Sequence, residues 1–458
     1  MGKGLIEIFP VAKQMIQYLD NVLRDLPDPP TWSLIEELTQ GRSASHLRAP
    51  EFSQPLCTAV QLGIVAVLED WGCRPHGVVG HSSGEIAAAV TAGHLTHECA
   101  IKTAYFRGKA AVNFQNDQKM GMLAVGLGRD DILTYIQSHE EVQIACVNSP
   151  KSLTLSGPLA QLESMMAKLR HHGHFARILQ VNLAYHSGFM LPIADHYKDL
   201  LDVCFSPPPI NTTNTDVTVY SSVLGKRMDR VFDSTYWHDN MVSPVLFEDA
   251  LVGMIKDGID ILIEIGPSGS LKGPISQVKS SLGPQARNIE YCTALERGPH
   301  AVNAIFDVAG RIFVLGGSID TTKVNDYGEN SSNMPLVIVD LPNYEWNHST
   351  KYWHESDASK DWRFRKFPKH DLLGSKILGT PWHAPTVSIF GTQSATRTFA
   401  STWGSVFFSW ASIIRPSFLR KLSTRYYANR SCSGKTFCGV LIFHGSKIIR
   451  YVYYFTGL

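Results

Sequence analysis

The chain has 458 residues, 44% hydrophobic and 18% charged, which are the proportions of a soluble globular protein long enough for two or three domains. A formal net charge of +1 excludes a global electrostatic argument for binding nucleic acid or an anionic membrane. The balance is uneven, however: all 41 acidic residues fall in the first 380 positions, and nine Lys/Arg with no Asp or Glu follow Pro381.

Taken in chain order, apolar residues at three- and four-residue spacing predict amphipathic helices over 3–26 and 55–70. HGVVG (76–80) reads as a short buried strand, and EIAAAVTAG (85–93) as a helix stopped at Gly93. A further helix is expected over 98–114. Beyond Met120 the period shortens: GMLAVGL, VQIACVNSP and SLTLSG read as strands, LAQLESMMAKLRHHG as a helix, and ARILQVNLAYHS as another strand. That order predicts a small split βαβ module within a larger α/β domain. PVLFEDALVGMIKDG returns to helix, and IDILIEIGPSG is a buried strand ending in a Gly-Pro turn. Residues 316–335 are polar and turn-rich, like a linker. The tail beyond Pro385 has no clear amphipathic period, and there is no internal repeat.

The eight cysteines form no CxxC pair; Cys57, Cys73, Cys99, Cys146 and Cys204 sit in apolar contexts and read as reduced core thiols, and no metal is expected. The N-terminus MGKGLIEIF lacks the charged and apolar regions of a signal peptide, and Ile6 stands where myristoylation needs Ser or Thr. No run approaches the roughly 18 apolar residues of a membrane-spanning helix, so a cytoplasmic protein is expected.

The chemistry is concentrated in Gly80-His81-Ser82-Ser83-Gly84, a GxSxG sequence between a predicted strand and a predicted helix. Flanking glycines allow a sharp turn that exposes the Ser82 hydroxyl, and the Ser83 N–H at the helix start can stabilise an oxyanion. A serine needs a base, usually histidine. Of 18 histidines, His186 in NLAYHSGFM ends an apolar strand and is the candidate, while His81 should point away from the serine and serve packing.

In order, GHSSGE, AYFRGKAA, IACVNSP with SLTLSG, AYHS, YWHDNMVSPVLF and IEIGPSGSL resemble the malonyl-CoA:acyl-carrier-protein acyltransferase domain, in the form found in fungal highly reducing type I polyketide synthases. The resemblance covers roughly residues 1–300. It implies an α/β-hydrolase-like core (1–119 and 187–300) with an inserted ferredoxin-like subdomain (120–186). It also implies Ser82 as nucleophile, His186 as general base, Arg107 as the partner of the malonyl carboxylate and Asn240 as the residue whose backbone carbonyl orients the histidine. Asn148 matches a family position near the substrate. The implied substrate is malonyl-CoA and the acceptor is phosphopantetheine on an acyl carrier protein, with no bound cofactor. Ketosynthase and dehydratase domains are the other expected partners, with no nucleic acid and no membrane.

The family's Gly-Gln-Gly-Ala-Gln stretch, on a central strand, is absent before Met1, which predicts an incomplete oxyanion hole and an unfilled position in the core. Gly188 and Phe189 replace two histidines, and Ser268 replaces another. Residues 301–345 are expected to be linker. Residues 346–384, from the region of VDLPNYEWNHSTKYW to HDLLG, resemble the opening of a dehydratase domain without its HxxxGxxxxP pattern, so that His370 reads as structural. The loss of acidic residues sets 385–458 apart as a basic tail outside the evolved domain. A serine esterase and an inactive remnant of a synthase are the competing functional readings.

Overall fold

In the computed structural model, the described residues are 2–112, 118–205, 216–298, 301–326, 349, 354–364, 375–379, 387–388 and 450–456. They fall into two units, Met1–Val337 with His444–Leu458, and Ile338–Phe443. Among the described residues, twelve strands run in chain order: β1 (Gly77–His81), β2 (Met120–Val125), β3 (Gln143–Ser149), β4 (Ser152–Pro158), β5 (Ala176–Ile178), β6 (Thr218–Ser221), β7 (Lys226–Arg227), β8 (Ile261–Ile265), β9 (Glu290–Thr293), β10 (Ser375–Lys376), β11 (Val387–Ser388) and β12 (Tyr451–Thr456).

The first unit is built on a six-stranded sheet of order β7-β6-β1-β12-β8-β9, parallel except for the β6–β7 hairpin. Both faces are covered, as a parallel sheet requires. Val78, Ile263, Tyr453 and Phe455 pack into the cluster that includes Leu62 and Val65 of helix Pro50–Asp70 and Ile86 of helix Gly84–Thr91. Val79, Leu262, Val452 and Tyr454 face the other way, onto Phe247 and Leu251 of helix Phe247–Lys256. Alternation along each strand thus feeds two cores at once. Helix Pro50–Asp70 is long and apolar enough to cross a membrane, with 89% of its apolar window buried inside the protein.

The second sheet, of order β3-β4-β2-β5, is antiparallel throughout. With helices Arg129–Ile136 and Leu159–His171 it gives the βαββαβ sequence of a ferredoxin-like subdomain. The α/β core with this inserted subdomain is the architecture predicted from sequence.

Several local expectations are corrected. The helix over 3–26 is two helices, Gly2–Ile8 and Pro10–Arg24, because Pro10 cannot donate to the preceding turn and starts a new helix. The strand expected over 176–187 stops at Ile178, and the chain leaves the sheet before His186. The linker expected from 301 opens instead with helix Asn303–Leu315, whose Ile305, Val308, Ala309 and Ile312 form a 3.6-period face in the core. Of the segment 385–458, set apart by its composition, Tyr451–Thr456 form β12 inside the sheet, in the central position expected to be unfilled.

In the second unit the described residues include helix Asp357–Arg363, capped by the Ser356 hydroxyl, and the antiparallel pair β10–β11. HDLLG, with His370, and most of the segment 336–353 lie outside the described residues.

Candidate active site

Ser82 occupies the turn between β1 and helix Gly84–Thr91 with φ 55°, and His186 has φ 62°. Non-glycine residues in left-handed backbone cost on the order of 1–3 kcal/mol each and persist where the surroundings impose them. The local sequence imposes the first: a Cβ at Gly80 would stand 2.2 Å from the Glu85 backbone nitrogen, so only glycine lets the helix return so closely over the strand. His186 is held by its own N–H, which donates to the Met241 carbonyl at 3.1 Å.

Ser82 Oγ lies 2.6 Å from His186 Nε2, and His186 Nδ1 lies 3.0 Å from the Ser243 carbonyl. A carbonyl can only accept, so Nδ1 carries the proton and Nε2 is free to accept from the serine. Burial, reinforced by the positive Arg107 and by His81, pushes the His186 pKa down to about 3, against the favourable carbonyls of Ser243 and Asn240. The imidazole is therefore neutral at rest, with Nε2 able to accept a proton from Ser82.

The orienting carbonyl at hydrogen-bond distance is thus Ser243's, where the sequence pointed to Asn240; the Asn240 carbonyl acts in the same sense more weakly. Helix Ser234–Val242 ends immediately before Ser243, which is extended (φ −80°, ψ 152°) and precedes Pro244. Its carbonyl is therefore turned out of the helical ladder. The Ser-Pro pair in NMVSPVLF is the signal that could have identified it.

Asn240 acts mainly through its side chain. Its Nδ2 donates to the Ser82 carbonyl at 3.2 Å and to the Glu85 carboxylate at 2.9 Å. Both partners are acceptors, which fixes the amide orientation and turns Oδ1 towards Arg107, whose Nη1 donates to it at 2.9 Å. Glu85 also accepts from the Ser222 N–H at 2.5 Å, the Ser222 hydroxyl at 3.1 Å and the Tyr236 hydroxyl at 2.7 Å. Burial raises its pKa, and these donors oppose the rise. Sequence reasoning missed Glu85 as the hub that ties the Ser82 turn to Asn240 and, through it, to Arg107.

Arg107 is 1% exposed on helix His97–Val112. It forms no ion pair with a carboxylate among the described residues, and its Nε has no hydrogen-bond partner. The shielded Tyr185 hydroxyl, also without a partner, belongs to the same electrostatic neighbourhood, since Arg107 acts on it. Buried donors left unpaired cost roughly 1–3 kcal/mol each, so a ligand bearing oxygen acceptors is favoured here.

His81 does not merely pack. Its Nε2 lies 2.8 Å from Asn148 Oδ1 and its ring meets Phe247. Asn148, buried on β3, thereby joins the ferredoxin-like subdomain to the β1 end of the site. Ser83 is the residue from which helix Gly84–Thr91 starts, and the positive end of that helix lies at the serine. Among the described residues no group of three His, Cys, Asp or Glu side chains could hold a metal ion.

The site thus sets a strand–turn–helix serine at hydrogen-bond distance from a neutral histidine, beside a buried guanidinium that has no carboxylate partner among the described residues, on an α/β scaffold. Residues 1–298 match the acyl transferase domain model, and the chain belongs to that family. It is 50% identical over 394 residues to a highly reducing polyketide synthase of Eupenicillium brefeldianum and 47% identical over 392 residues to a low-reducing polyketide synthase of Aspergillus calidoustus. Each match covers 84% of this chain but 16% of the relative, so the chain spans about a sixth of their length. Among solved structures, the acyltransferase domain from module 8 of the salinomycin polyketide synthase superposes with a TM-score of 0.59 at 26% identity, covering 69% of this chain and 71% of that one. The malonyl CoA-acyl carrier protein transacylase of Clostridium perfringens shares the fold, with a TM-score of 0.58 at 24% identity, over 69% and 94% of the two chains.

Proposed function

We propose that this acyltransferase domain moves a malonyl group from coenzyme A, through a Ser82 ester, to the phosphopantetheine thiol of an acyl carrier protein in polyketide assembly. The Ser82 hydroxyl attacks the thioester carbonyl while its proton passes to His186 Nε2. Collapse of the tetrahedral intermediate breaks the C–S bond, and the departing CoA thiolate takes that proton. The carrier thiol then gives its proton to His186 and attacks the seryl ester, and Ser82 leaves with the proton returned. The Ser83 N–H, at the positive helix end, faces the charge that develops on the carbonyl oxygen.

The observation that carries this reading is Arg107. A buried guanidinium with a free Nε and no carboxylate partner favours an acyl group that brings its own carboxylate, and a guanidinium fork binds one bidentately. An esterase acting on neutral esters has no use for it. The inactive-remnant reading drew its support from an unfilled central sheet position, which β12 occupies.

The test uses labelled malonyl-CoA and acetyl-CoA with the full chain. Covalent labelling by malonyl-CoA should vanish in Ser82→Ala. Arg107→Ala should lower malonyl labelling by about a hundredfold, corresponding to loss of a charge-assisted bidentate pair, and leave acetyl labelling nearly unchanged. Equal losses for both acyl groups would refute the assignment of Arg107 to the carboxylate.

A further inference from the structure

The position of β12 has a functional reach. It lies between β1 and β8, and it comes from neither of their sequence neighbourhoods. Val452–Thr456 run parallel to Gly77–His81, and Tyr451–Phe455 parallel to Ile261–Ile265. We propose that the cleft between β1 and β8 is a strand-acceptor site, that its occupant is the chain's own segment Arg450–Thr456, and that seating this strand holds the Ser82 turn in its reactive shape.

The fit of the segment is specific along its length. At its start the Arg450 N–H donates to Asp260 Oδ2 at 2.9 Å, and its guanidinium to the Asp257 carbonyl at 3.1 Å. Val452, Tyr453, Tyr454 and Phe455 are fully buried. Their polar tips are placed too: the Tyr453 hydroxyl donates to the Cys73 carbonyl at 2.9 Å and the Tyr454 hydroxyl to the Glu264 carboxylate. At its end the Thr456 carbonyl accepts from Gln61 Nε2 at 2.9 Å. A Cβ at Gly266 would sit 2.0 Å from Thr456 Oγ1, so β8's following turn is shaped around this strand.

The same end reaches the site. Phe455 pairs with Gly80 and Thr456 with His81, the residue before Ser82. Without β12, β1 would lose one of its two parallel neighbours next to a turn that already carries left-handed backbone at Ser82. Relaxation of that turn would move Oγ away from His186 Nε2. Because no short connection ties β12 to either neighbour, its seating is a long-range closure event, separable in principle from formation of the flanking strands.

The nucleophile half of this inference rests on the function proposed above, so the experiment has an arm that does not. Hydrogen exchange on the full wild-type chain should show 451–456 protected to the same degree as 261–265. Tyr454→Pro, which blocks strand pairing, should deprotect 77–81 and 261–265 together. In that variant, labelling of Ser82 by a fluorophosphonate should fall by about a hundredfold, the scale of a lost preorganised site. Adding a peptide of residues 450–456 with the wild-type sequence should restore both protection and labelling.

The proposal is overturned if 451–456 exchanges as free chain in the wild type, if Tyr454→Pro leaves the flanking strands protected, or if the peptide restores nothing. A concentration-dependent dimer that owes its protection to an exchanged strand would overturn the occupant assignment in favour of a second copy. A protected wild type whose Ser82 never labels would refute the proposed function and leave the acceptor site standing.

Discussion

Glu85 and Glu264 are two buried carboxylates on the same domain, and each is satisfied by neutral donors. Glu85 accepts from Ser222, Tyr236 and Asn240. Glu264 accepts from the Ser270 and Leu271 N–H groups at 2.7 and 3.3 Å, from the Tyr291 hydroxyl at 2.6 Å, and from Tyr454. Burial raises the pKa of both. Their consequences differ because of what lies one bond further on. Beyond Glu85 stand Asn240, the Ser82 carbonyl and Arg107, the groups that would meet substrate. Beyond Glu264 stand β12 and the turn after β8, which meet only protein. One electrostatic arrangement thus orders a site in the first case and closes a sheet in the second.

The contrast is broken most severely by removing each carboxylate outright. Glu85→Ala strands several buried donors at roughly 1–3 kcal/mol each and should lower stability by about 4 kcal/mol in urea unfolding. It should also erase discrimination between malonyl and acetyl thioesters, because Asn240 loses the acceptor that sets its amide. Glu264→Ala should destabilise by a similar amount while the fraction that stays folded keeps that discrimination. Loss of discrimination in both variants, or in neither, would sink the division of labour.

A smaller effect separates the carboxylates from their amide isosteres. The folded pKa of Glu264 lies above the ordinary 4.5, so its protonated form contributes stability that is present below 4.5 and is lost as pH rises through the folded value. Glu264→Gln has no such dependence. The wild type should therefore lose stability relative to Glu264→Gln as pH climbs above about 4.5, as read by melting temperature across the series. A difference with the opposite slope would contradict the assigned direction.

The smallest expected effect is a flat line. His186 is depressed to about 3, so the rate of Ser82 acylation should show no acid limb from protonation of the base between about pH 5 and 8. An inflection near the ordinary histidine value would show that the buried neutral imidazole is misassigned.

Much of this was legible in the residues. The Ser82 turn is written in glycine spacing and in the switch from strand to helix, both local signals. The ferredoxin-like insertion follows from alternating periods over 120–186. Arg107 was legible only through family resemblance, since a helix arginine carries no sign of its burial or its lack of a carboxylate partner. Ser243 was missed in favour of Asn240 because a carbonyl's direction depends on where a helix stops, and helix ends blur by a residue or two. The strand at the end of the tail was not legible for a physical reason: YVYYFT is apolar on both faces, as a central parallel strand must be. It therefore lacks the alternation that marks a strand, and its basic surroundings dominated the composition.

The strand order also sets a schedule for biosynthesis. On the ribosome β1 and β8 emerge long before β12, and at about 5–20 residues per second the gap between β8 and β12 takes roughly 10–40 s to translate. For that interval the nascent sheet presents two unpaired central edges lined by Val78, Val79, Leu262 and Ile263. Slow codons or stalled translation in that stretch would lengthen the chain's dependence on chaperones, and cooler expression that weakens hydrophobic self-association should improve its soluble yield.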